Sequence, residues 1–316
     1  MLALVTGATG FLGREVVKAL CSSGTEVRCL AHTPGRERVL AGQRVDVRYG
    51  SVGDPDTLKA AFYNVDVVVH LVAVIRESGA ITFDRVNRRG TENVVAAARD
   101  DGVKHFVHMS ALGAANNHAY PYLYSKWQAE QAVIGSGLPY TILRASLLFG
   151  EGDGFVNTLA GLVRAFPVVP IAGPGANRFQ PIAVDEVARC VAAAAGREEF
   201  MGKVIEIGGP DHLSYNDIVD IVARTYRVRR LKLHVPVPLM GLGVLLMEAL
   251  LPRPPVTMDQ LRMISIPNVA GLDTVEEVFG FKPRALQGNI DYIKAISYWD
   301  GLRIALGFMP GRIRDH

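Results

Sequence analysis

The chain has 316 residues, enough for one large or two smaller domains with a full hydrophobic core. Its hydrophobic content of 49% and charged content of 21% are typical of a soluble globular protein. The net charge of +3 is too small to indicate a nucleic-acid partner. Three widely spaced cysteines fit neither a disulfide framework nor a zinc site, so we expect a reducing, cytoplasmic compartment.

A glycine-rich turn follows the first predicted strand and leads into a helix pattern. The N–H groups at a helix start are unpaired, and the helix dipole favours an anion there. Gly7 permits the tight turn, Gly10 lets the backbone approach a diphosphate, and Gly13 allows close helix–strand packing. The turn therefore predicts a dinucleotide site, with contacts from Thr6, Gly7, Thr9, Gly10, Phe11, Leu12 and Gly13.

Strand and helix patterns alternate through the first 145 residues, which predicts an α/β fold of the Rossmann type. Most strand candidates are unbroken apolar runs, as expected for a doubly wound parallel sheet with helices on both faces. Ligands of such sheets bind at the carboxyl ends of the strands. The predicted strands are 2–6, 26–31, 45–49, 66–72, 104–109 and 140–144, and the predicted helices are 55–63, 84–100 and 121–135.

Beyond residue 145 the pattern becomes irregular and richer in glycine and proline, which indicates a smaller, mostly helical substrate lobe. We expect a dinucleotide-binding domain over 1–145, a substrate lobe over 146–296 that is free to interleave with it, and a tail over 297–316. We expect the tail to pack on its own domain; a partner-facing helix bearing Arg312 and Arg314 is the alternative. The predicted helices of the lobe are 155–166, 185–195, 214–226, 238–250, 257–264 and 286–296.

One strongly apolar segment, residues 237–251, lies between Pro236 and Pro252. As a helix it rises about 22 Å, short of a bilayer core of about 30 Å, and it contains Glu248. We expect a buried helix or a docking surface here, and peripheral contact with a membrane or a protein complex remains open. No signal peptide is expected, because Met1 runs directly into the first strand.

Three side chains form a candidate acid/base site. Tyr122 and Lys126 lie four residues apart on one predicted helix, so both side chains share a face. A nearby ammonium favours the phenolate and lowers the tyrosine pKa from its ordinary value of about 10. Ser110 ends the fifth strand, where its hydroxyl can polarise a substrate carbonyl; a loop-capping serine is the alternative. His105 and His108 of that strand point to opposite faces, so we predict no metal site.

Further motifs follow the glycine turn in a fixed order. The motifs are 86–93 (VNRRGTEN), Ser110, Tyr122-x-x-Ser125-Lys126-x-x-x-Glu130, 143–153, 178–181 (RFQP), 184–188 (VDEVA) and 208–210 (GGP). With the glycine turn, this series resembles the short-chain dehydrogenase/reductase superfamily over roughly residues 1–290. The similarity is to its extended and atypical branch, which includes epimerase/dehydratase-like reductases and the nucleotide-binding accessory subunit of respiratory complex I.

The resemblance implies a role for each matching residue. Tyr122 is the expected acid/base, and Lys126 lowers its pKa and holds the nicotinamide ribose. Ser110 positions the reacting oxygen. Asn87 supports the site from the helix after the fourth strand, or simply ties that helix to the sheet. Further cofactor contacts are expected from Leu71 and Ala73.

Two departures from the family pattern concern the adenosine end of the cofactor. Many members carry an aspartate beside the adenine, whereas this chain has Ser51 and Val52, so we expect contact through backbone and packing. The second strand ends near His32 without the carboxylate that would repel a 2′-phosphate, and Arg36 follows. NADP is therefore favoured over NAD, although many NADP-using relatives have arginine where His32 stands.

The leading functional hypothesis is an NAD(P)-dependent oxidoreductase that acts on an apolar carbonyl or alcohol substrate. A structural or assembly protein that holds NADPH without turnover is the first alternative, and a sugar-nucleotide epimerase or dehydratase is the second. A small-molecule substrate is expected as the partner. The candidate substrate contacts are Leu147, Phe149, Phe155, Arg178 and Phe179.

Overall fold

The computed structural model describes residues 1–251 and 253–308, which divide into two compact units. The first unit contains Met1–Ala145 and Val184–Ile207. The second contains Ser146–Ala183 and the described residues from 208 onward. The chain therefore leaves the first unit after Ala145, returns for one helix and one strand, and leaves it again.

The first unit is built on a parallel sheet with helices on both faces. Its short turns of helix are 3₁₀ at Arg36–Leu40, Pro55–Thr57 and Glu198–Phe200, and π at Asp84–Arg89. Its strands and helices, numbered in chain order for the whole protein, are β1 (Leu2–Thr6), α1 (Phe11–Ser22), β2 (Glu26–Ala31), β3 (Val45–Tyr49), α2 (Lys59–Phe62), β4 (Val67–His70), α3 (Gly90–Asp100), β5 (His105–Ala111), α4 (Pro121–Ile134), β6 (Tyr140–Ala145), α6 (Val184–Gly196) and β11 (Lys203–Ile207).

The sheet has seven strands in the order β11-β6-β5-β4-β1-β2-β3, and every neighbouring pair is parallel. The order reverses between β1 and β4, which opens a crevice at the carboxyl ends of these strands. On one face Leu4, Val68 and Phe106 pack with Val94 of α3. Helix α6 covers β4, β5 and β6 and packs against α1. The predicted Rossmann-type sheet is thereby confirmed.

The six predicted strands are all present, with bounds that shift by no more than two residues. The seventh strand, β11, was missed because its sequence has no unbroken apolar run. Lys203, Val204 and Glu206 are exposed on it, so its sequence lacks the apolar run of a central strand.

Two predicted helices of the first unit differ in detail. Asp54 caps the segment after β3 by accepting a hydrogen bond from the Asp56 N–H, as its sequence predicts. The segment then forms a 3₁₀ turn and the short helix α2 rather than one helix over 55–63. The predicted helix over 84–100 begins as a π turn at Asp84–Arg89, a conformation often found at functional sites.

The second unit combines small pairs of strands with helices around its own apolar core. Phe149, Val163, Ile218 and Ile290 belong to that core. The 3₁₀ turn Asp291–Ala295 precedes its last described helix. The elements are β7 (Leu148–Phe149), α5 (Phe155–Ala165), β8 (Val168–Ala172), β9 (Arg178–Phe179), β10 (Ile182–Ala183), β12 (Leu213–Ser214), α7 (Tyr215–Thr225), β13 (Leu231–Val235), α8 (Val237–Leu250), α9 (Met258–Ile264), α10 (Thr274–Phe279) and α11 (Tyr298–Ala305).

The helix predictions were less accurate near the end of the chain. The helix predicted over 286–296 is wrong, since only the 3₁₀ turn forms there, and α10 was missed. Helix α11 packs on α5.

Pro252 and residues 309–316, with Arg312 and Arg314, lie outside the described residues. Within the described ranges, no helix combines the length and hydropathy needed to cross a bilayer.

The contact between α5 and α11 provides a test of the packing in the second unit. A Cβ atom at Gly301 would lie only 2.2 Å from the carbonyl oxygen of Gly161. We expect Gly301→Ala to destabilise the protein by about 1–3 kcal/mol through overpacking, measured by urea denaturation. Gly243→Ala in α8 is the matched control, because a Cβ atom there meets nothing within 4 Å. It should stabilise by about 0.5–1 kcal/mol, and equal effects of both variants would contradict this packing.

Candidate active site

The glycine turn between β1 and α1 has the geometry of a diphosphate cradle. Gly7 has a φ of +74°, which favours glycine, and a Cβ atom there would lie 3.1 Å from the Val72 nitrogen. At Gly13 a Cβ atom would lie 2.0 Å from the Gly7 carbonyl oxygen, so α1 reaches β1 through backbone contact. The fold thus requires both glycines.

Gly10 has a different environment. It precedes the first residue of α1 in an extended conformation, and its nearest neighbour for an added Cβ atom is the Gly7 carbonyl oxygen at 3.3 Å. The fold therefore tolerates a small side chain at Gly10 more readily than at Gly13. Free space beside the first turn of a 12-residue helix fits a bound diphosphate, which is the role expected for this glycine. Thr9, Phe11 and Leu12 are half-buried around the same turn.

Thr6 is fully buried, and its side chain takes part in a hydrogen-bonded chain within the unit. Thr91 donates its hydroxyl proton to the Asn87 carbonyl at 2.6 Å, so it accepts from Nε2 of His70 at 3.0 Å. His70 therefore accepts at Nδ1 from the Thr6 hydroxyl, 2.7 Å away. Burial, with the charge of Lys126 as a smaller effect, lowers the pKa of His70 to about 3 and keeps the ring neutral. The Thr6 carbonyl accepts a hydrogen bond from the Leu71 N–H, and the role of Thr6 toward a cofactor stays a prediction.

Asn87 lies on the π turn and connects two parts of the candidate site. Its Oδ1 accepts from the Val74 N–H at 2.8 Å, and its Nδ2 donates to the Val74 carbonyl at 3.0 Å. The same Nδ2 donates to Ser125 Oγ at 2.9 Å, and that hydroxyl donates to the Tyr122 carbonyl at 2.7 Å. Asn87 thus fixes the loop after β4, where Leu71 and Ala73 lie, to the first turn of α4.

Lys126 is buried on α4, and its Nζ donates to the Met109 carbonyl at 2.6 Å. Burial lowers the pKa of Lys126 to about 8, and the nearby Glu130 partly opposes that shift. Glu130 is itself fully buried and forms two hydrogen bonds with Arg144, at 2.9 and 2.7 Å. At neutral pH the lysine remains mostly charged, because its pKa is still above 7.

Tyr122 lies in the first turn of α4, with its ring against the edge of Phe83 at 5.8 Å between centroids. Burial raises the pKa of Tyr122 to about 12. The expected lowering by Lys126 is therefore wrong for this structure, because loss of solvation penalises the phenolate and dominates. The phenol keeps its proton at neutral pH.

Ser110 lies at the carboxyl end of β5, and only 5% of it is exposed. Its Oγ is buried and has no hydrogen-bond partner among the residues that the structure describes. An unpaired buried hydroxyl costs about 1–3 kcal/mol, which a ligand oxygen would recover. This observation favours a ligand-facing role for Ser110 over the loop-capping alternative.

His108 is also without hydrogen-bond partners in the described part of the chain, at both ring nitrogens. It is fully buried and stacks on His70, with ring centroids 5.5 Å apart. Burial, with Lys126 and then His70 as smaller causes, holds its pKa well below the ordinary histidine value. His105 instead bonds Thr141 at 2.9 Å, so the two strand histidines have different neighbours. Within 1–251 and 253–308 no group of three potential metal ligands is found.

The predicted adenosine-side residues lie after β2 and β3. His32 and Arg36 are exposed, and His32 contacts the Thr33 hydroxyl at 3.1 Å. Ser51 accepts at Oγ from the Gly53 N–H. Val52 is buried in the core of the unit, and its carbonyl accepts a hydrogen bond from Asn93 at 2.8 Å.

The candidate substrate residues all belong to the second unit. Phe149 and Phe179 are buried in its core, Leu147 and Phe155 are half-buried, and Arg178 is exposed. Phe155 and Phe179 form an aromatic cluster with Tyr215, with ring centroids 6.1–6.4 Å apart. Their role toward a substrate stays a prediction.

Several polar residues of the site were not found from the sequence. His70 was not singled out, and Thr91 and Asn93 were noted only as part of the motif 86–93. The fold places His70 between the Thr6 and Thr91 hydroxyls and Asn93 against the Val52 carbonyl. In the second unit Asp153 was noted only as part of a motif. Its buried carboxylate accepts from Val156 N–H and from the Tyr292 hydroxyl, and burial raises its pKa to about 6.

The doubly wound sheet, the glycine cradle and the Ser–Tyr–Lys set define an NAD(P)-binding protein of the extended short-chain dehydrogenase/reductase type. Residues 7–196 match a protein family described as NAD(P)H-binding, and the chain belongs to this family. The resemblance inferred from the sequence motifs is confirmed.

Individual relatives differ in the roles that their names state. The chain is 30% identical over 247 residues to the mitochondrial NADH dehydrogenase (ubiquinone) 1 alpha subcomplex subunit 9 of Arabidopsis thaliana, covering 75% of this chain and 61% of that protein. It is 31% identical over 184 residues to a ceramide reductase of Caulobacter vibrioides, covering 58% and 57%. The matches thus span about three-fifths of these relatives' lengths. An NADPH-dependent quinone oxidoreductase from Escherichia coli shares the fold, with a TM-score of 0.76, 18% identity and coverage of 93% and 100%.

The contrast between Gly10 and Gly13 gives a test of the cradle. Gly10→Val should fold normally but weaken NADPH and NADH binding at least about 100-fold, or about 2.7 kcal/mol, because its side chain fills space needed by the diphosphate. Calorimetric titration measures the affinity. Gly196→Val is the matched control, since a Cβ atom there meets nothing within 4 Å. Unchanged cofactor affinity in Gly10→Val would contradict the assignment.

The buried His108 ring gives a pH-dependent prediction. Its pKa is depressed in the folded state, so only the unfolded chain takes up this proton below about pH 6.5. The stability contributed by the neutral ring is lost as pH falls, approaching about 1.4 kcal/mol per pH unit. His108→Leu should remove this part of the slope between pH 6.5 and 5 in urea denaturation. A slope in His108→Leu equal to that of the wild type would refute the buried neutral ring.

Proposed function

We propose that the protein is an NADP(H)-dependent oxidoreductase that reduces the carbonyl group of an apolar substrate. The observation that carries the proposal is the unpaired, buried hydroxyl of Ser110 at a strand end of a unit that also positions Tyr122 and Lys126. A protein that only stores a nucleotide has no need of a buried hydroxyl without a partner. The first unit is proposed as the dinucleotide-binding domain and the second as the substrate lobe.

The residues available to hold the cofactor fit a dinucleotide. The turn at Gly7, Gly10 and Gly13 would hold the diphosphate, with the first turn of α1 supplying N–H groups. Lys126 would hold the nicotinamide ribose. When bound, the nicotinamide supplies the hydride, and the residues of this chain supply orientation and the proton.

Tyr122 is proposed as the proton donor. Its pKa of about 12 means that the phenol is protonated at neutral pH and can protonate an oxygen that becomes an alkoxide. The protonated phenol favours reduction of a carbonyl over oxidation of an alcohol. Lys126 carries a positive charge at neutral pH and lies one turn further along α4, where it opposes the negative charge left on the phenol oxygen.

Ser110 and Asn87 complete the proposed chemistry in different ways. Ser110 would donate its hydroxyl to the substrate oxygen and polarise the carbonyl before proton transfer. Asn87 is a positioning residue, because its side chain already bonds Val74 and Ser125 and holds the start of α4.

NADP rather than NAD is proposed from the segment after β2. His32 and Arg36 are exposed there and suit a 2′-phosphate. Glu37 lies in the same segment, but its carboxylate accepts the Gly35 N–H at 2.7 Å. An apolar substrate is supported by the aromatic cluster of the second unit and by the relative named as a ceramide reductase, since ceramide is largely hydrocarbon.

A second candidate is a cofactor-binding component of a larger protein complex. The relative named as a subunit of NADH dehydrogenase supports it. An epimerase or dehydratase would use the same Tyr–Lys pair, but it would regenerate the cofactor within each turnover and show no net NADPH oxidation.

Tyr122→Phe tests the proposed chemistry. NADPH oxidation should be followed by fluorescence with a panel of quinones, ceramide precursors and other apolar ketones. We expect kcat to fall about 100-fold or more, because a general acid contributes that much, while NADPH affinity changes little. Tyr124→Phe, two residues along the same helix, is the matched control and should retain activity.

The outcomes separate the three functions. Substrate-dependent oxidation that survives in Tyr122→Phe would refute the assigned proton donor. Tight NADPH binding with no turnover across the panel would favour the complex component. Product formation without net oxidation of the cofactor would favour the epimerase or dehydratase.

A further inference from the structure

Helix α8 carries an exposed row of leucines in the second unit. Leu239, Leu242, Leu246 and Leu250 follow one another at spacings of three, four and four residues, so they lie on one side of the helix. Each is between 60% and 71% exposed, and Leu245 beside them is 52% exposed. These five residues are called the leucine face.

The opposite side of α8 packs against the protein. Gly241 and Val244 are buried, and a Cβ atom at Gly241 would contact the Met258 side chain of α9 at 3.5 Å. Glu248 also lies on this side, where its carboxylate accepts the Met258 N–H at 3.0 Å. The helix therefore directs its one charged residue away from the leucine face.

Exposed apolar residues also occur before and after α8 along the chain. Leu231 and Leu233 of β13, which leads into α8, are 72% and 55% exposed. After α11, Gly307 lies against Leu251, since a Cβ atom there would be 3.1 Å from Leu251 Cβ. The exposed Leu306 and Phe308 on either side of Gly307 therefore adjoin the end of α8.

Exposed arginines flank this segment along the chain. Arg229 lies two residues before β13, and Arg253 lies three residues after the end of α8. The chain from 229 to 253 thus has an apolar centre with an arginine near each end. Interfacial helices combine these features, because leucines enter the acyl region while arginines contact anionic head groups.

We propose that the leucine face docks the protein on the surface of an anionic lipid bilayer, with Arg229 and Arg253 at the head groups. The 14-residue helix is about 21 Å long, shorter than a bilayer core of about 30 Å, so it lies along the interface. The face is wholly aliphatic, whereas the cores of protein interfaces are enriched in tyrosine, tryptophan and arginine. The proposal is independent of catalysis, because it concerns binding alone.

Vesicle flotation of the full chain tests the docking without substrate or cofactor. Binding to vesicles of phosphatidylglycerol and phosphatidylcholine should exceed binding to phosphatidylcholine alone by about tenfold or more, and added salt should weaken it. The double variant Leu242→Ser, Leu246→Ser should lose about tenfold or more in binding, while thermal unfolding confirms that it folds. The matched control Val39→Ser, Val204→Ser changes exposed valines of the first unit and should bind as the wild type does.

The charge contribution and the alternative occupants are tested separately. Arg229→Gln with Arg253→Gln should lower binding to the anionic vesicles while leaving the weak binding to neutral vesicles unchanged. Absence of vesicle binding, or equal binding by the leucine variant and the wild type, overturns the proposal. A wild-type dimer in analytical ultracentrifugation that becomes a monomer in the leucine variant also overturns it, because a second copy would then cover this face.

Discussion

A chain of buried hydrogen bonds holds the candidate site of the first unit together. It runs from Thr6 on β1 through His70 and Thr91 to Asn87, and from Asn87 to the first turn of α4, which carries Tyr122. Three of its bonds join elements that are distant in sequence: Thr6 to His70, His70 to Thr91, and Asn87 to Ser125. Because an unpaired polar group in this interior is costly, the chain fixes where the glycine turn and the tyrosine helix lie with respect to each other.

The same interior sets the protonation of the site. Burial keeps His70 neutral and lowers the pKa of Lys126 to about 8, yet it raises the pKa of Tyr122 to about 12. In each case the low polarity of the interior disfavours the charged form. The site therefore combines a protonated phenol with a lysine that remains charged at neutral pH. Ser110 adds a hydroxyl that the described structure leaves free for a ligand.

The proposed acid/base site and the leucine face depend on opposite physical conditions, burial in the first case and exposure in the second. The proposed acid/base residues lie in the first unit, where burial controls charge. The leucine face lies in the second unit, where exposure of aliphatic side chains is itself the feature that needs an explanation.

The sequence by itself determined the elements with a strong local signal: six strands, the glycine turn and the spacing of Tyr122 and Lys126. These depend on neighbouring residues, so apolar runs and helical spacing are sufficient to predict them. Only the tertiary structure decided the edge strand β11, the hydrogen bonds of Thr6 and His70, and the upward pKa shift of Tyr122. Those properties depend on which distant residues exclude water from a side chain, and on which partners remain to bond it, and local sequence does not contain that information.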